Sequence, residues 1–150
     1  MEVQKIMTSQ PVACTPTDPI SKAATVMMGN NCGAVPVIES ENSKLLVGIV
    51  TDRDIGIGVC TKKQNPMEVK VSECMKSNPL TCTAKDSLET VLAAMQKNKV
   101  RRIPVVDANK NLIGIVAMAD LARAISEHGE KAAGLSINQL GQTLVEISKP

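Results

Sequence analysis

Polar side chains with the chemistry to bind a ligand follow directly on a short apolar stretch. Residues 48–50 are Gly-Ile-Val, and they are followed by Thr51, Asp52, Arg53 and Asp54 at the expected start of a helix. A carboxylate can accept hydrogen bonds from both hydroxyls of a vicinal diol, and exposed amides at a helix start favour phosphate. Thr51 and Asp54 also stand at i and i+3, which suits a capping box that only begins the helix. The pattern leaves both interpretations open.

A similar pattern occurs later in the chain, at residues 114–120. We refer to residues 48–54 and 114–120 as the two frames. The second frame keeps the first glycine and the last carboxylate, Asp120, while Ala117 stands where the first frame has Thr51. An offset of 68 residues also aligns prolines, methionines and aspartates in the segments that precede the two frames. Such repetition predicts two similar halves. Because Ala117 has no hydroxyl, we expect that helix capping by itself does not explain the carboxylate of Asp120.

The repeat divides the chain into two halves and two further pieces. The halves are predicted at residues 1–60 and 69–131, with a polar linker at 61–68. Gly134 is expected to end the last helix of the second half, which begins near the second frame. The tail, 132–150, has the apolar spacing of one more amphipathic helix.

Each half shows the same order of predicted elements: a short strand, a helix, two strands and a second helix. The first helix of each half is predicted to bury one apolar face, formed by Ile20, Ala23, Ala24 and Met27 in the first half and by Leu88, Val91, Leu92 and Met95 in the second. Asp18 and Asp86 are expected to cap the first helix of their halves, Asp86 together with Glu89 in a capping box. The strands are expected at residues 12–15, 34–38 and 45–50 of the first half and at 80–83, 102–106 and 112–116 of the second. One half is too small to bury its helices alone, so we expect an α/β (α+β) fold with the halves packed sheet to sheet.

Composition excludes several classes of function. The chain has 150 residues, 43% hydrophobic and 21% charged, which is typical of a globular protein with one sizeable core. Its net charge of +2 comes from interspersed signs, so no basic stripe is available for nucleic acid. No apolar run reaches membrane-spanning length and the N-terminus does not resemble a signal peptide, so we expect a cytoplasmic chain with no membrane partner. Without Phe, Tyr or Trp, a bound base must lie against aliphatic side chains and backbone.

The cysteines do not form a pattern that would carry catalysis or bind a metal. They are odd in number, contain no Cys-x-x-Cys pair and are accompanied by a single histidine, His128, on an expected surface helix. These features favour reduced thiols over disulfides and disfavour a zinc site. An enzyme or redox sensor is disfavoured as well, because no Cys-His pair or carboxylate dyad is evident. The cysteines are Cys14, Cys32, Cys60, Cys74 and Cys82.

The repeated pattern resembles a known family. In both halves Gly-Ile-Val-x-x-x-Asp follows a strand of the form Val/Ile-Pro-Val-Val/Ile, at residues 35–38 and 103–106. This combination is similar to the cystathionine-β-synthase (CBS) domain, here in the tandem arrangement called a Bateman module. The resemblance extends from Val3 to Ser126. It implies two CBS repeats related by pseudo-two-fold symmetry, followed by the C-terminal helical tail.

The resemblance also implies a function. Tandem CBS repeats are usually regulatory modules rather than enzymes, and they bind adenine nucleotides or related adenosyl ligands such as AMP, ADP, ATP, NAD or S-adenosylmethionine in clefts between the repeats. The family motif Gly-x-Ser/Thr-x-x-Asp uses the Asp for the ribose hydroxyls and the Ser/Thr near the phosphate. Thr51 and Asp54 match both positions, and Asp120 matches the second. The nucleotide would be a regulatory ligand, so neither a cofactor nor a metal is expected.

In the family each site is assembled crosswise, with the Asp of one repeat facing segments of the other. Carried over by position, Thr51 and Asp54 would face Leu80, Val100, Arg102 and Pro104, while Asp120 would face Val12, Gly33, Ala34 and Pro36. The guanidinium groups nearest these segments belong to Arg53, Arg101 and Arg102, and they are the candidate phosphate ligands. Solvated surface arginines, with Arg53 paired to a neighbouring carboxylate, are the alternative interpretation.

A homodimer is the expected assembly, and a target protein is a further expected partner. The helices that follow Asp54 and Asp120 would present Ile55, Ile57, Leu121 and Ile125 on faces that the halves themselves leave uncovered. Because Ala117 weakens the second motif and no effector domain is evident, a ligand-free dimeric scaffold is the alternative function.

Overall fold

The computed structural model describes residues 1–62 and 64–150 as two compact units. The first unit contains Pro11–Pro79 and Ala108–Leu112, and the second contains Met1–Gln10, Leu80–Asp107 and Ile113–Pro150. The strands are β1 (Thr8–Ser9), β2 (Ala34–Ser40), β3 (Ser43–Thr51), β4 (Lys76–Ser77), β5 (Arg102–Val106) and β6 (Leu112–Ala117). The helices are α1 (Ile20–Gly29), α2 (Asp52–Lys62), α3 (Leu88–Asn98), α4 (Met118–His128), α5 (Glu130–Ala133) and α6 (Ile137–Ser148).

The first unit is built on a three-stranded antiparallel sheet in the order β2-β3-β4. Val35 lies opposite Val50 in the register of β2 and β3. These β-branched residues pack on α1, whose Ile20, Ala23 and Met27 lie at helical spacing and are buried. The predicted apolar face of this helix is therefore the one that it buries, although Ala24 is exposed.

The second unit repeats this plan, with a three-stranded sheet in the order β1-β6-β5. All four residues of the predicted apolar face of α3 are buried, as expected. These residues are Leu88, Val91, Leu92 and Met95. They share a core with Ile103 and Val105 of β5 and with Val116 of β6.

The tail forms the helix expected at its C-terminal end, and this helix packs within the second unit. Ser136 caps α6, because its Oγ accepts from the Gln139 amide at 3.1 Å while Gln139 Oε1 accepts from the Ser136 amide at 2.8 Å. Leu140 joins the same core as Leu121 and Ile125, which are only 0% and 5% exposed. The expectation that these two residues present an open apolar face is therefore wrong, because α6 contacts α3 and α4 and completes their core.

Two short entry segments determine how the chain is divided into units. β1 near the N-terminus pairs with β6, and the Val3 amide donates to the Asp86 carbonyl at 3.0 Å. β4, which belongs to the second half, pairs instead with β3 of the first half. The halves predicted at 1–60 and 69–131 are thus repeats of sequence, whereas each packed unit takes its entry strand from the other half.

Some local expectations need correction. The short strands expected at 12–15 and 80–83 are reduced to single bridges, Cys14 to Val37 and Cys82 to Val105. α4 ends at His128, earlier than expected, because Gly129 adopts φ 80° and starts a separate short helix. Gly134 ends that helix, α5, with φ 70°.

Asp18 and Asp86 occupy positions just before the helices that they were expected to cap. The N-caps are Pro19 and Ser87, and the Ser87 Oγ accepts from Thr90 N at 3.1 Å. The carboxylates of Asp18 and Asp86 instead accept from the backbone amides three residues earlier, each at 2.8 Å. The expected box of Asp86 with Glu89 is therefore wrong by one residue at its N-cap.

Replacing Asp18 with Asn should give a stability loss that depends on pH. Burial by itself would raise the pKa of Asp18, but hydrogen bonds from the Thr15 amide and Lys22 outweigh it and hold the pKa below its usual 3.8. A carboxylate with a lowered folded-state pKa contributes stability above its unfolded-state pKa and loses it as pH falls through the folded-state value. We expect Asp18→Asn to cost about 0.5–1.5 kcal/mol at pH 7.

Urea unfolding of both proteins between pH 7 and pH 2 measures this difference, which should shrink towards zero as the pH falls below about 4. Glu127→Gln, on an exposed position of α4, is the control that should show little difference at any pH. A cost for Asp18→Asn that stayed constant across this range would show that the charge of Asp18 has no role.

Candidate functional site

Asp54 and Thr51 form a capping box at the start of α2. Asp54 Oδ2 accepts from the Thr51 amide at 3.0 Å and from the Thr51 Oγ1 hydroxyl at 2.7 Å. The Asp54 amide donates to Thr51 Oγ1 at 3.1 Å. The structural interpretation of this pair is thus confirmed. Thr51 at the end of β3 and Asp54 in the first turn of α2 are both half-buried, and each holds the other's side chain in place.

The capping box leaves part of the Asp54 carboxylate available. Its three hydrogen bonds use Oδ2 and the backbone amide, and within residues 1–62 and 64–150 no protein donor reaches Oδ1. An ionised carboxylate can accept about four hydrogen bonds, so Oδ1 retains acceptor capacity for a hydroxyl. Capping and ligand binding are therefore compatible at Asp54.

The backbone amides at the start of α2 already have acceptors. The Asp52 amide donates to the Gly33 carbonyl at 3.1 Å, and the Arg53 amide donates to Asp52 Oδ1 at 2.8 Å. With the Asp54 amide bound to Thr51, the first turn has no amide of these three left for a phosphate. A phosphate at this end of the helix would depend on side-chain cations, contrary to the expectation from the sequence.

Asp120 has a different environment. Its Oδ2 accepts from the Ala117 amide at 2.8 Å, so the backbone half of the capping box forms without any hydroxyl. The expectation that capping does not account for Asp120 is therefore wrong, because a backbone amide is present at every residue type except proline. Oδ1 accepts from Arg123 Nη2 at 2.5 Å, which makes an ion pair between residues three apart on α4.

The bond from a backbone amide to a carboxyl or amide oxygen three residues later recurs in segments outside both frames. Its repeated use shows that a carboxylate at this position is weak evidence for a ligand. The further pairs of donor and acceptor residues are Thr15 and Asp18, Lys70 and Glu73, Thr83 and Asp86, and Ser136 and Gln139.

Within the first unit, Gly33 and Ala34 lie beside the Thr51–Asp54 pair. Ala34 is the register partner of Thr51 between β2 and β3, and the Gly33 carbonyl holds the Asp52 amide. Within the second unit, the Met118 amide donates to the Arg101 carbonyl at 3.0 Å, which places Arg101 beside the start of α4.

The remaining site residues differ in their accessibility. Pro36 and Pro104 are buried, and their carbonyls accept from the amides of Cys14 and Cys82 at 3.0 and 3.1 Å. Val12 is exposed, and Leu80 and Val100 are half-buried. The crosswise grouping of these residues with Asp54 and Asp120 stays a prediction.

The four arginines differ in exposure and in hydrogen-bond partners. Arg53 is exposed on α2, and Arg102 is half-buried at the start of β5. Arg101 is exposed, and its Nη2 donates to Ser148 Oγ at 3.3 Å, at the last residue of α6. Arg123 was not identified from the sequence, although its spacing of three residues from Asp120 on a helix is a recognised signal for an ion pair.

The cysteines are free thiols throughout. Burial raises the pKa of Cys14 to about 11 and that of Cys82 to about 12, so both remain protonated near neutral pH. Protonated, buried thiols are poor nucleophiles and poor metal ligands. No group of three or more His, Cys, Asp or Glu side chains suited to a metal is found in the described part of the chain.

None of the helices in residues 1–62 and 64–150 is both long enough and apolar enough to cross a bilayer.

The first glycine of each frame has a packing role. A Cβ at Gly48 would lie 2.7 Å from Met75 Sδ and 3.0 Å from the Lys76 carbonyl oxygen. At Gly114 it would lie 2.5 Å from Met7 Sδ and 3.2 Å from the Thr8 carbonyl oxygen. Because glycine has no side chain, the entry strand, β4 or β1, and the methionine that precedes it can pack closely against β3 or β6.

Comparison with known proteins identifies the family. The model of the CBS domain matches residues 3–55 and 71–127, one match for each copy of the repeated frame. The chain belongs to the CBS domain family. The uncharacterized protein YlbB of Bacillus subtilis is 36% identical to it over 142 residues, which cover 94% of this chain and 92% of the relative.

Two solved CBS structures resemble the chain in fold and contain adenosyl compounds. The CBS domain pair of protein MJ0100, in complex with 5′-methylthioadenosine and S-adenosyl-L-methionine, is 26% identical with a TM-score of 0.74, over 83% of this chain and 99% of that one. CBSX2 of Arabidopsis thaliana, in complex with AMP, is 25% identical with a TM-score of 0.72, over 85% of this chain and 97% of that one. The expected mixed α/β fold of a CBS pair is thereby confirmed.

Proposed function

We propose that this CBS protein is a non-catalytic regulatory module that binds adenine nucleotides or related adenosyl ligands. The observation that carries the proposal is its similarity to two CBS structures that hold AMP or S-adenosyl-L-methionine with 5′-methylthioadenosine. AMP, ADP, ATP and NAD share with these compounds the adenosyl group, in which the ribose diol is a neutral donor of hydrogen bonds.

The Thr51–Asp54 pair supports the proposal because it combines rigidity with a free acceptor. The capping box fixes the carboxylate through Oδ2, and Oδ1 is left to accept a ribose hydroxyl. Preorganisation of this kind lowers the entropy cost of binding. Since the nearby amides are occupied, the negative charge of a phosphate falls to guanidinium groups, and Arg53 and Arg102 are our candidates.

Regulation would act through a target protein or through the dimer, with the nucleotide as a ligand and not as a required cofactor. An odd number of unpaired cysteines supports the cytoplasm as the compartment, because reducing conditions keep such thiols free.

A panel of adenosyl compounds tests the proposal. AMP, ADP, ATP, NAD and S-adenosylmethionine are each titrated against the full chain by calorimetry, and the melting temperature is measured with each. A ligand at about 100 times its dissociation constant stabilises the fold by roughly 2.7 kcal/mol. For a chain of this length each kcal/mol moves the melting temperature by roughly 2–4 °C, so the right ligand should raise it by about 5–10 °C.

If none of the compounds binds or shifts the melting temperature at millimolar concentration, the regulatory proposal is wrong. The candidate that then remains is a dimeric scaffold without a ligand. That candidate is favoured by the capping bonds, which give both carboxylates a structural role, and by Met28 and Ile57, which are 80% and 52% exposed in the first unit. Sedimentation of the ligand-free protein as a monomer at micromolar concentration would exclude it.

A further inference from the structure

The residue three positions after the carboxylate of each frame decides whether that carboxylate has a cationic partner. An offset of 66 residues aligns Asp54 with Asp120 and Ile57 with Arg123. In the first frame Ile57 cannot donate to the carboxylate, and no described protein group reaches Asp54 Oδ1. In the second frame Arg123 donates to the equivalent oxygen of Asp120. The repeat is thus an internal comparison of the same carboxylate with and without a guanidinium partner.

The ion pair of Asp120 with Arg123 puts a neutral diol at a disadvantage. The carboxylate is only 12% exposed, while the arginine side chain is 61% exposed and free to turn towards solvent. A hydroxyl that replaced the guanidinium would still donate to a charged acceptor, but the attraction between the two opposite charges of the ion pair would be lost. Each oxygen of Asp120 already has a donor, the Ala117 amide at Oδ2 and Arg123 at Oδ1, so a ribose hydroxyl reaches Oδ1 only beside the guanidinium or after the guanidinium moves away.

A phosphate on the ligand changes the competition between the ribose hydroxyl and Arg123 for Asp120. A guanidinium has five N–H donors in a planar fork, so Arg123 can donate to phosphate oxygens while it turns away from Asp120. Its own exposure gives it the freedom to move. A ligand with both a ribose and a phosphate therefore provides a new partner for the cation and a donor for the carboxylate that the cation releases.

We propose that Arg123 makes the Asp120 frame selective for adenosyl ligands that carry a phosphate, whereas the Asp54 frame accepts nucleosides and nucleotides alike. This inference rests on the proposed function, since it assumes that both carboxylates receive a ribose. It assigns to Arg123 the role of a specificity-determining residue. It also makes the two sites of one chain different in ligand preference.

Calorimetric titration with adenosine and AMP tests the selectivity. The wild-type chain should bind one molecule of adenosine and two molecules of AMP. Asp54→Ala should remove the adenosine site. Arg123→Ala should gain a second adenosine site and should weaken one of its two AMP sites by about tenfold or more, the effect of losing a hydrogen bond to a charged group. Arg123→Lys keeps the positive charge and should restore most of the AMP affinity.

The reverse exchange, Ile57→Arg, is the matched variant in the first frame. Residue 57 is an exposed position of α2, so the substitution should not disturb folding. It should abolish adenosine binding to the chain while AMP still binds twice.

The role of Arg123 would be overturned if the wild type bound two molecules of adenosine. It would also be overturned if Arg123→Ala and Ile57→Arg both bound as many adenosine molecules as the wild type. Either result would leave the proposed function intact. Absence of binding by both adenosine and AMP in every variant would overturn this inference, and the proposed function would fail with it only if ADP, ATP, NAD and S-adenosylmethionine also did not bind.

Discussion

Alanine at Gly48 or at Gly114 should destabilise the fold by about 1–3 kcal/mol, the usual cost of overpacking a filled site. The added methyl group would enter space that holds a methionine sulfur and a backbone carbonyl of the neighbouring entry strand. The sulfur can move, but the carbonyl belongs to the backbone of the entry strand, so full relief of the clash also requires a small shift of that strand. Thermal unfolding should show a melting temperature lower by about 2–12 °C for each substitution.

Gly141→Ala is the matched control, because nothing lies within 4 Å of a Cβ built at this glycine of α6. Alanine in a helix interior is favoured over glycine by about 1 kcal/mol, so this variant should be more stable than the wild type. If Gly48→Ala and Gly114→Ala were as stable as Gly141→Ala, close approach of the entry strands would not be the reason for the repeated glycine.

Asp54→Ala should have the second large effect, on ligand binding in the first frame. Removal of the acceptor for ribose should weaken binding there by about tenfold or more, as for other hydrogen bonds to charged groups. The melting-temperature shift produced by the best compound of the panel should fall accordingly. The ligand-free variant should also lose about 1 kcal/mol of stability, because Thr51 loses its capping partner.

Asp52→Ala separates the two effects, since Asp52 is exposed on the same helix turn and its carboxylate contacts the amide of Arg53. This variant should keep the ligand-induced shift. If Asp54→Ala kept the full shift while Asp120→Ala abolished it, the Asp120 frame would be the only working site. The stability of each ligand-free variant is subtracted before the shifts are compared.

Local pattern determined much of the fold and part of the site. The apolar spacing of α3 predicted the residues that it buries, and the repeated frame predicted a carboxylate at the start of both α2 and α4. Both are properties of a few consecutive residues, because a helical face and a cap depend on contacts three or four positions apart. For the same reason the frame led to the correct family before any contact was known.

Contacts between distant segments were decided only by the tertiary structure. The pairing of β1 with β6 and of β4 with β3 exchanges the entry strands between the halves, which no local pattern distinguishes from pairing within a half. Burial of Leu121 and Ile125 depends on where the tail helix packs. Apolar spacing shows that a face must be covered, but the segment that covers it is chosen by the geometry of the whole chain.

The candidate site shows the same division. The sequence by itself determined that Asp54 and Asp120 stand at helix starts and that only the first has a hydroxyl three residues before it. The structure decided which carboxylate oxygens are engaged: Oδ2 by the amide of Thr51 or Ala117 in both frames, and Oδ1 by Arg123 only at Asp120. Hydrogen bonds are short-ranged and directional, so their partners are set by side-chain position in three dimensions and not by residue type alone.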